Sequence, residues 1–226
     1  MEYRRIGTVL IALLLTTCLS VPLWAGSGYG ISHINREDNE YVIDLGKRDG
    51  SQVGMVLNVY RDKEIAAEIG NFKIISSVFV GRIVAHKVSA KQTIGRLHSG
   101  GGNRKLVQAG DYTQPALVIA ADELFDVGNT DLRDAGLKRL NQAVRFIKRF
   151  EATKIRVEVH ADNQMRNRDR ISQRQADQVR NFLASEGGFA KDHFVAIGYG
   201  AEKPLVSNAK ASGQQMNRRV EVIIER

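Results

Sequence analysis

Near residue 115 the apolar period of this chain changes, and that change limits the fold more than any other feature. Upstream, from about residue 30, apolar residues recur at every second position in short runs. EYVIDLG leads into the turn KRDG, and GMVLNVYRD follows with Met55, Leu57 and Val59 alternating. FKIISSVFVGRIVAHKVS and QTIGRLHS continue in the same way, rich in Val and Ile and broken by Gly, Asp and Ser. Side chains alternate across a strand, so a period of two predicts strands, and many short strands predict a barrel or sandwich. KEIAAEIG alone has the composition for a helical turn. Residues 30–114 therefore read as a small all-β, barrel-like module.

A boundary is expected at DYTQP, Asp111 to Pro115, a short polar stretch ending in proline. Beyond it strands alternate with helices. ALVIA reads as a buried strand. Thr130 then suits the cap of a helix with Asp131 and Asp134 in its first turn and an apolar stripe of Leu137, Leu140, Val144 and Ile147. IRVEVH (Ile155 to His160) alternates as a strand. A second helix is expected from about Arg170 to Ser185, with Ala176, Val179 and Leu183 inward. HFVAIG and RRVEVIIE supply two more strands. The expected class is α+β: the barrel-like module followed by an α/β unit over residues 116–226, large enough for its own core.

Residues 1–25 are read separately. Arg4 and Arg5 precede the apolar run IGTVLIALLLTTCLSVPLW, and the small Ala25 closes a plausible cleavage site. The segment reads as a signal peptide; its length also suits an uncleaved membrane anchor, and LTTC at Cys18 loosely resembles a lipoprotein box. All three export the remainder. Cys18 is the single cysteine, so neither a disulfide framework nor a thiolate metal site is expected within one chain. The net charge is +8, and losing Arg4, Arg5 and Glu2 lowers it by one, to +7. For an exported chain such basicity points to cell-wall carboxylates or anionic lipids rather than nucleic acid.

Four stretches of the second half, in order, resemble the C-terminal domain family of outer membrane protein A, which includes the peptidoglycan-associated lipoprotein and the flagellar stator B subunit. They are ELFDVGNTDLRDAGLKRLNQAV, VHAD, ISQRQADQVRNFL, and GYGAEKPLVSN with GQQMNRRVEV. The resemblance implies an OmpA-like α/β sandwich, a mixed sheet with helices on one face, that binds peptidoglycan non-covalently. It implies an acid at the strand end, Asp162, pairing with the ammonium of diaminopimelate in the stem peptide, and an arginine on the next helix pairing with a carboxylate of the same residue. A carboxylate and a guanidinium on neighbouring elements match such a zwitterion by charge-assisted hydrogen bonds. Here the arginine position holds Gln175, with Arg174 one step earlier, about 100° around the helix. Val159 and Ala161 replace the usual Gly and Thr.

The implied peptidoglycan-binding residues are Asp162, Arg174, Asn163, Asn217, Arg218, Asp126 and Phe125. Some of these positions also have a plainer role. Asp162 suits a loop brace, Gln175 completes an S-x-x-Q capping box with Ser172, and Asn217 and Arg218 suit holding the last loop. Arg166, Arg168, Arg170 and Arg180 read as a solvated face. His160 and Asp162 form H-x-D without an evident third ligand, so no metal is expected. The loop Ser99 to Lys105, SGGGNRK, lacks the ending of a phosphate-binding loop. No cofactor and no catalytic constellation is read. The expectation is a non-enzymatic envelope protein, periplasmic and associated with outer membrane or cell wall, or held at the inner membrane if residues 1–25 remain. It binds the wall through its second half and docks another envelope protein through the β-module, which resembles small barrels of envelope and flagellar-ring proteins. The alternative is an assembly subunit whose scaffold has lost wall binding.

Overall fold

The computed structural model describes residues 28–69, 72–98 and 107–226. The leader or anchor at 1–25 and the loop Ser99 to Lys105 lie outside them. Among the described residues no helix is long and apolar enough to cross a membrane.

Six strands come first: β1 Tyr29–Asn35, β2 Glu40–Ile43, β3 Val56–Ile69, β4 Phe72–Val88, β5 Thr93–Leu97 and β6 Tyr112–Ala120. The alternation of Met55, Leu57 and Val59 buries those residues. KRDG forms a single 3-10 turn ending at Gly50, whose φ of 96° is the left-handed conformation that glycine adopts without strain. KEIAAEIG makes no helical turn; it continues β3 as far as Ile69. β4 pairs with β3 along most of their lengths, forming a long hairpin that bulges at Val59/Tyr60.

The remaining elements are α1 Ala121–Leu124, α2 Leu137–Arg149, β7 Ile155–His160, α3 Arg168–Gly187, β8 Phe194–Gly200, α4 Ala211–Asn217 and β9 Arg219–Ile224. Among the described residues, nine strands join one mixed sheet in the order β1-β2-β5-β4-β3-β6-β9-β7-β8. β1 also pairs with β6 through Tyr29–Thr113 and Gly30–Tyr112, so the first six strands form a hydrogen-bonded ring. The sheet as a whole is not a closed barrel, because β9, β7 and β8 extend beyond β6.

The boundary expected at residues 111–115 falls inside β6 or against it. Tyr112 to Ala116 pair with β3, and Ala116 to Ala120 pair with β9. Polar composition suggested a linker, but Asp111, Thr113 and Gln114 are buried. Pro115 stands where the neighbour on one edge changes from β1 to β9, an interruption at which a missing N–H is tolerated.

The helix expected from Thr130 begins later, at Leu137, after a 3-10 turn at Asp134–Gly136. Thr130 caps nothing, because the chain first folds back on α1: the Arg133 amide donates to the Leu124 carbonyl at 2.9 Å. Gly136 permits that approach, since a Cβ there would stand 2.7 Å from the Glu123 carbonyl oxygen. The α2 stripe is otherwise as expected, with Leu140, Val144 and Ile147 buried.

α2 and α3 pack on the sheet face that carries Ile155, Val157 and Val159 of β7 and Val220, Val222 and Ile224 of β9. Alternation turns Arg156, Glu158, His160, Arg219 and Glu221 to the opposite face. That face is buried too, under the β3–β4 side of the molecule. Glu221 accepts from Arg219 Nε at 2.6 Å, from Asn58 Nδ2 at 2.8 Å, and from Arg82. Arg156 donates to Glu158 at 2.7 Å, Gln114 at 3.0 Å and Tyr60 Oη at 3.2 Å, and pairs with Glu225. Burial alone would raise the Glu221 carboxyl, but Arg82 and Arg219 overcome it and bring its pKa down to about 2. This ionic layer ties the β-ring to β7 and β9.

Candidate functional site

β7 ends at His160, and the Ala161 amide fastens the chain to Gly200 of β8 at 2.7 Å. Asp162 is the next residue and the start of the turn into α3. Its Oδ1 accepts the Gln164 and Met165 amides at 2.8 and 3.0 Å, the bracing geometry that Asp provides at a strand exit. Its Oδ2 accepts Arg218 Nη1 at 2.5 Å. Arg218 stands just before β9 and turns its other donors on Asp122 of α1, from Nε at 2.9 Å and Nη2 at 2.7 Å. One guanidinium thus joins two carboxylates from α1 and the end of β7.

Two further arginines border the pair: Arg133 donates to the Asp122 carbonyl at 2.9 Å and Arg168 to the Asn163 carbonyl at 3.3 Å. Asp162 is 4% exposed. Burial pushes its carboxyl upward, but the Arg218 hydrogen bond and the two amides outweigh that and hold it below the ordinary value. The Asp122 hydrogen bonds raise Arg218 further above its ordinary value. Asp162 is therefore an ionised acceptor at neutral pH, and Oδ2 retains lone-pair capacity for one more donor.

The other expected residues are distributed unevenly. Arg174 is exposed on α3 and has no ion pair with Asp162. Gln175 is buried, and its Nε2 donates to the Asn129 carbonyl at 2.6 Å, fastening the loop after α1. The capping box is a misreading: α3 begins at Arg168 after Asn167, whose φ is 51°, so Ser172 lies inside the helix. There Ser172 Oγ donates to the Asp169 carbonyl and accepts the Gly200 amide, at 3.1 and 3.0 Å. Asn217 is fully buried and holds the preceding loop through the Leu205 and Val206 amides, at 2.7 and 3.1 Å. Phe125 is a core residue at 2% exposure. Asp126 is exposed and faces Arg133 at 3.5 Å. Asn163 is exposed directly after Asp162.

Of the surrounding basic residues, Arg166 and Arg170 are exposed, and Arg180 pairs with Asp177 at 3.2 Å. His160 belongs to the buried ionic layer, so H-x-D does not act as a unit. The residue missed from sequence was Asp122. Its signal was an acid just after a buried strand, three residues before Phe125, but nothing local joins it to Arg218, 96 positions away.

Residues 124–218 match the family model described as OmpA family. Outer membrane porin F of Pseudomonas aeruginosa is 30% identical over 109 residues, 47% of this chain and 31% of the porin. The probable lipoprotein YiaD of Escherichia coli is 30% identical over 102 residues, 44% of this chain and 46% of the lipoprotein. The chain thus spans less than half the length of either relative. Among solved structures, the cell wall anchor of the T6SS from Pseudomonas aeruginosa is 27% identical, with a TM-score of 0.46, covering 50% of this chain and 81% of the anchor.

Proposed function

On the premise that residues 124–218 form an OmpA family domain, we propose that this is a non-enzymatic envelope protein holding peptidoglycan non-covalently. The observation that carries the reading is Asp162, an ionised acid at the end of β7 whose Oδ1 braces the turn into α3 and whose Oδ2 meets Arg218. The ammonium of a stem-peptide diaminopimelate seats on Oδ2, beside the Arg218 contact. Arg218, already shared between Asp122 and Asp162, positions the acid. Asn163 offers an exposed amide next to it. Phe125 and Asn217 support the surrounding loops from within the core. Export through residues 1–25 places the domain on the periplasmic side of the envelope, at the outer membrane or wall. The β-ring docks the partner assembly that the wall contact then anchors.

Sedimentation with purified sacculi tests the reading. Wild-type protein pellets, and Asp162→Asn, which keeps the shape but removes the charge, weakens binding by about tenfold or more, as expected for a hydrogen bond to a charged group. Walls with lysine in place of diaminopimelate test the ligand's zwitterionic end. Equal pelleting of wild type and variant with unchanged salt dependence refutes the reading.

A specific observation favours a second reading, an assembly subunit that has stopped binding the wall. Gln175 stands where the resemblance implies an arginine and is committed to the Asn129 carbonyl, while Arg174 is exposed and makes no ion pair with Asp162. Failure of the wild type to pellet would establish this alternative.

A further inference from the structure

At the corner where the β-ring meets the end of α2 lies a groove of about 430 Å³, within the range of ligand pockets. Lys47 of the ring and Arg149 of α2 both line it, together with Gln52, Val53 and Val88. Among the described residues its lining contains no acid. α2 ends at Arg149 and β7 begins at Ile155, whereas Asp162 follows the end of β7. The groove and the acid therefore lie toward opposite ends of that strand.

Both cations are held in place and left without partners. The Lys47 amide donates to the Ser89 carbonyl at 2.9 Å and the Arg48 amide to the Ala90 carbonyl at 3.3 Å, which pins the 3-10 turn to the loop after β4. The stem of Arg149 lies against the same turn, since a Cβ on Gly50 would stand 3.2 Å from Arg149 Cγ. Both side chains are exposed, and neither has an ion pair or a side-chain hydrogen bond among the described residues. Arg48 and Lys91 add exposed cations at this corner. Of the acids nearest in sequence, Asp49 accepts the Gly46 amide at 2.9 Å, and Glu151 stays outside the lining.

The rest of the surface is apolar. Val53 is 68% exposed, within a turn that the Met55 amide closes on the Gln52 carbonyl at 3.1 Å. Two uncommitted cations beside an apolar surface match a ligand whose anionic head adjoins hydrocarbon. A wall carboxylate would use the cations but leave Val53 unmatched.

The structure assigns this groove to the phosphate of an anionic phospholipid, its oxyanion at Lys47 and Arg149 and its glycerol and first methylenes along Val53 and Val88. A guanidinium fork takes two oxygens of one phosphate, and an ammonium adds a compact charge. Basic side chains beside exposed apolar ones compose surfaces that settle at the headgroups of an anionic bilayer. The assignment stands independently of the wall reading. Joined to it, the chain bridges a membrane surface and the wall from the two ends of β7.

The test is heteronuclear NMR of the full chain in neutral detergent, following the Arg149 Nε–H and Lys47 amide resonances. Dibutyl phosphate, a phosphodiester with short apolar arms, shifts them saturably, and uncharged tributyl phosphate does not. Dimethyl phosphate, with the same charge and little apolar surface, binds about threefold more weakly. Lys47→Gln and Arg149→Gln, both at exposed positions, each weaken dibutyl phosphate about tenfold. Val53→Ser brings dibutyl phosphate down to the affinity of dimethyl phosphate. With the full chain in phosphatidylcholine nanodiscs, adding phosphatidylglycerol moves the same resonances, and Lys47→Gln abolishes the movement. Equal binding of the dimethyl and dibutyl esters, binding of the tributyl ester, or resonances unmoved by phosphatidylglycerol overturns the proposal. Asp162→Asn retains dibutyl phosphate binding and Lys47→Gln retains sacculus pelleting, so the two sites fail separately.

Discussion

Glu221→Gln is the most demanding test of how the two halves are joined. Glu221 is 2% exposed and takes donors from β3, β4 and β9. Glutamine keeps the shape but loses the charge, leaving Arg82 and Arg219, both 6% exposed, without the acid they share. Breaking a buried ion pair by removing one partner costs ~3–5 kcal/mol. The pKa gives a second route to the magnitude. A carboxyl displaced from 4.5 to about 2 corresponds to about 3 kcal/mol at ~1.4 kcal/mol per unit. Because the folded pKa is depressed, this stability is fully present above pH 4.5 and is lost as pH falls toward 2. Urea unfolding followed by far-UV circular dichroism at pH 7 and at several steps down to pH 2.5 measures both effects. The variant is less stable by about 3–4 kcal/mol at pH 7, and its deficit shrinks as the wild type loses the Glu221 contribution in acid. A deficit below about 1 kcal/mol at pH 7, or one that stays constant down to pH 2.5, would falsify the account of this layer as an ionic weld.

His160→Phe preserves ring packing on Tyr199, whose ring stacks on the imidazole at 5.3 Å. Burial depresses the His160 pKa below 6.5, so wild-type stability is present above that value and falls as pH drops beneath it. The variant loses this slope, and identical wild-type and variant slopes in denaturation between pH 7 and pH 5 refute the assignment. Gly198→Ala places a Cβ 2.1 Å from the Gln173 backbone nitrogen, where β8 meets α3. Thermal unfolding should show a loss of about 2–3 kcal/mol from this overpacking; an unchanged midpoint would mean that β8 and α3 separate at little cost.

Much of the second half was legible because its signals are local. Ile155 to His160 formed the expected strand, and Ala176, Val179 and Leu183 formed the expected inward stripe of α3. Boundaries set by competing contacts were not legible. Thr130 failed as a cap because Arg133 and Gly136 pack against α1 first. Gln175 looked like a capping residue because Ser172 precedes it at the right interval, yet α3 had already begun at Arg168. At the site, the pattern picked out Asp162 as the acid at the end of β7, but not the side chain that pairs with it. That side chain, Arg218, is 56 positions away and comes alongside through the pairing of β7 with β9.

The amino-acid order by itself determined the strand and helix periods, the single apolar face of α2, and the acid at the end of β7. These depend on alternation and on 3.6-residue repetition, which neighbouring residues express without help. Tertiary structure alone decided that β6 runs through the apparent linker, that the polar face of β7 and β9 is buried, and that Arg218 serves two acids. Burial and pairing of charges depend on what packs against a residue from distant parts of the chain. Thus Asp111, Thr113 and Gln114, polar enough to suggest a loop, became buried within or beside a strand once β3 and β9 supplied their neighbours.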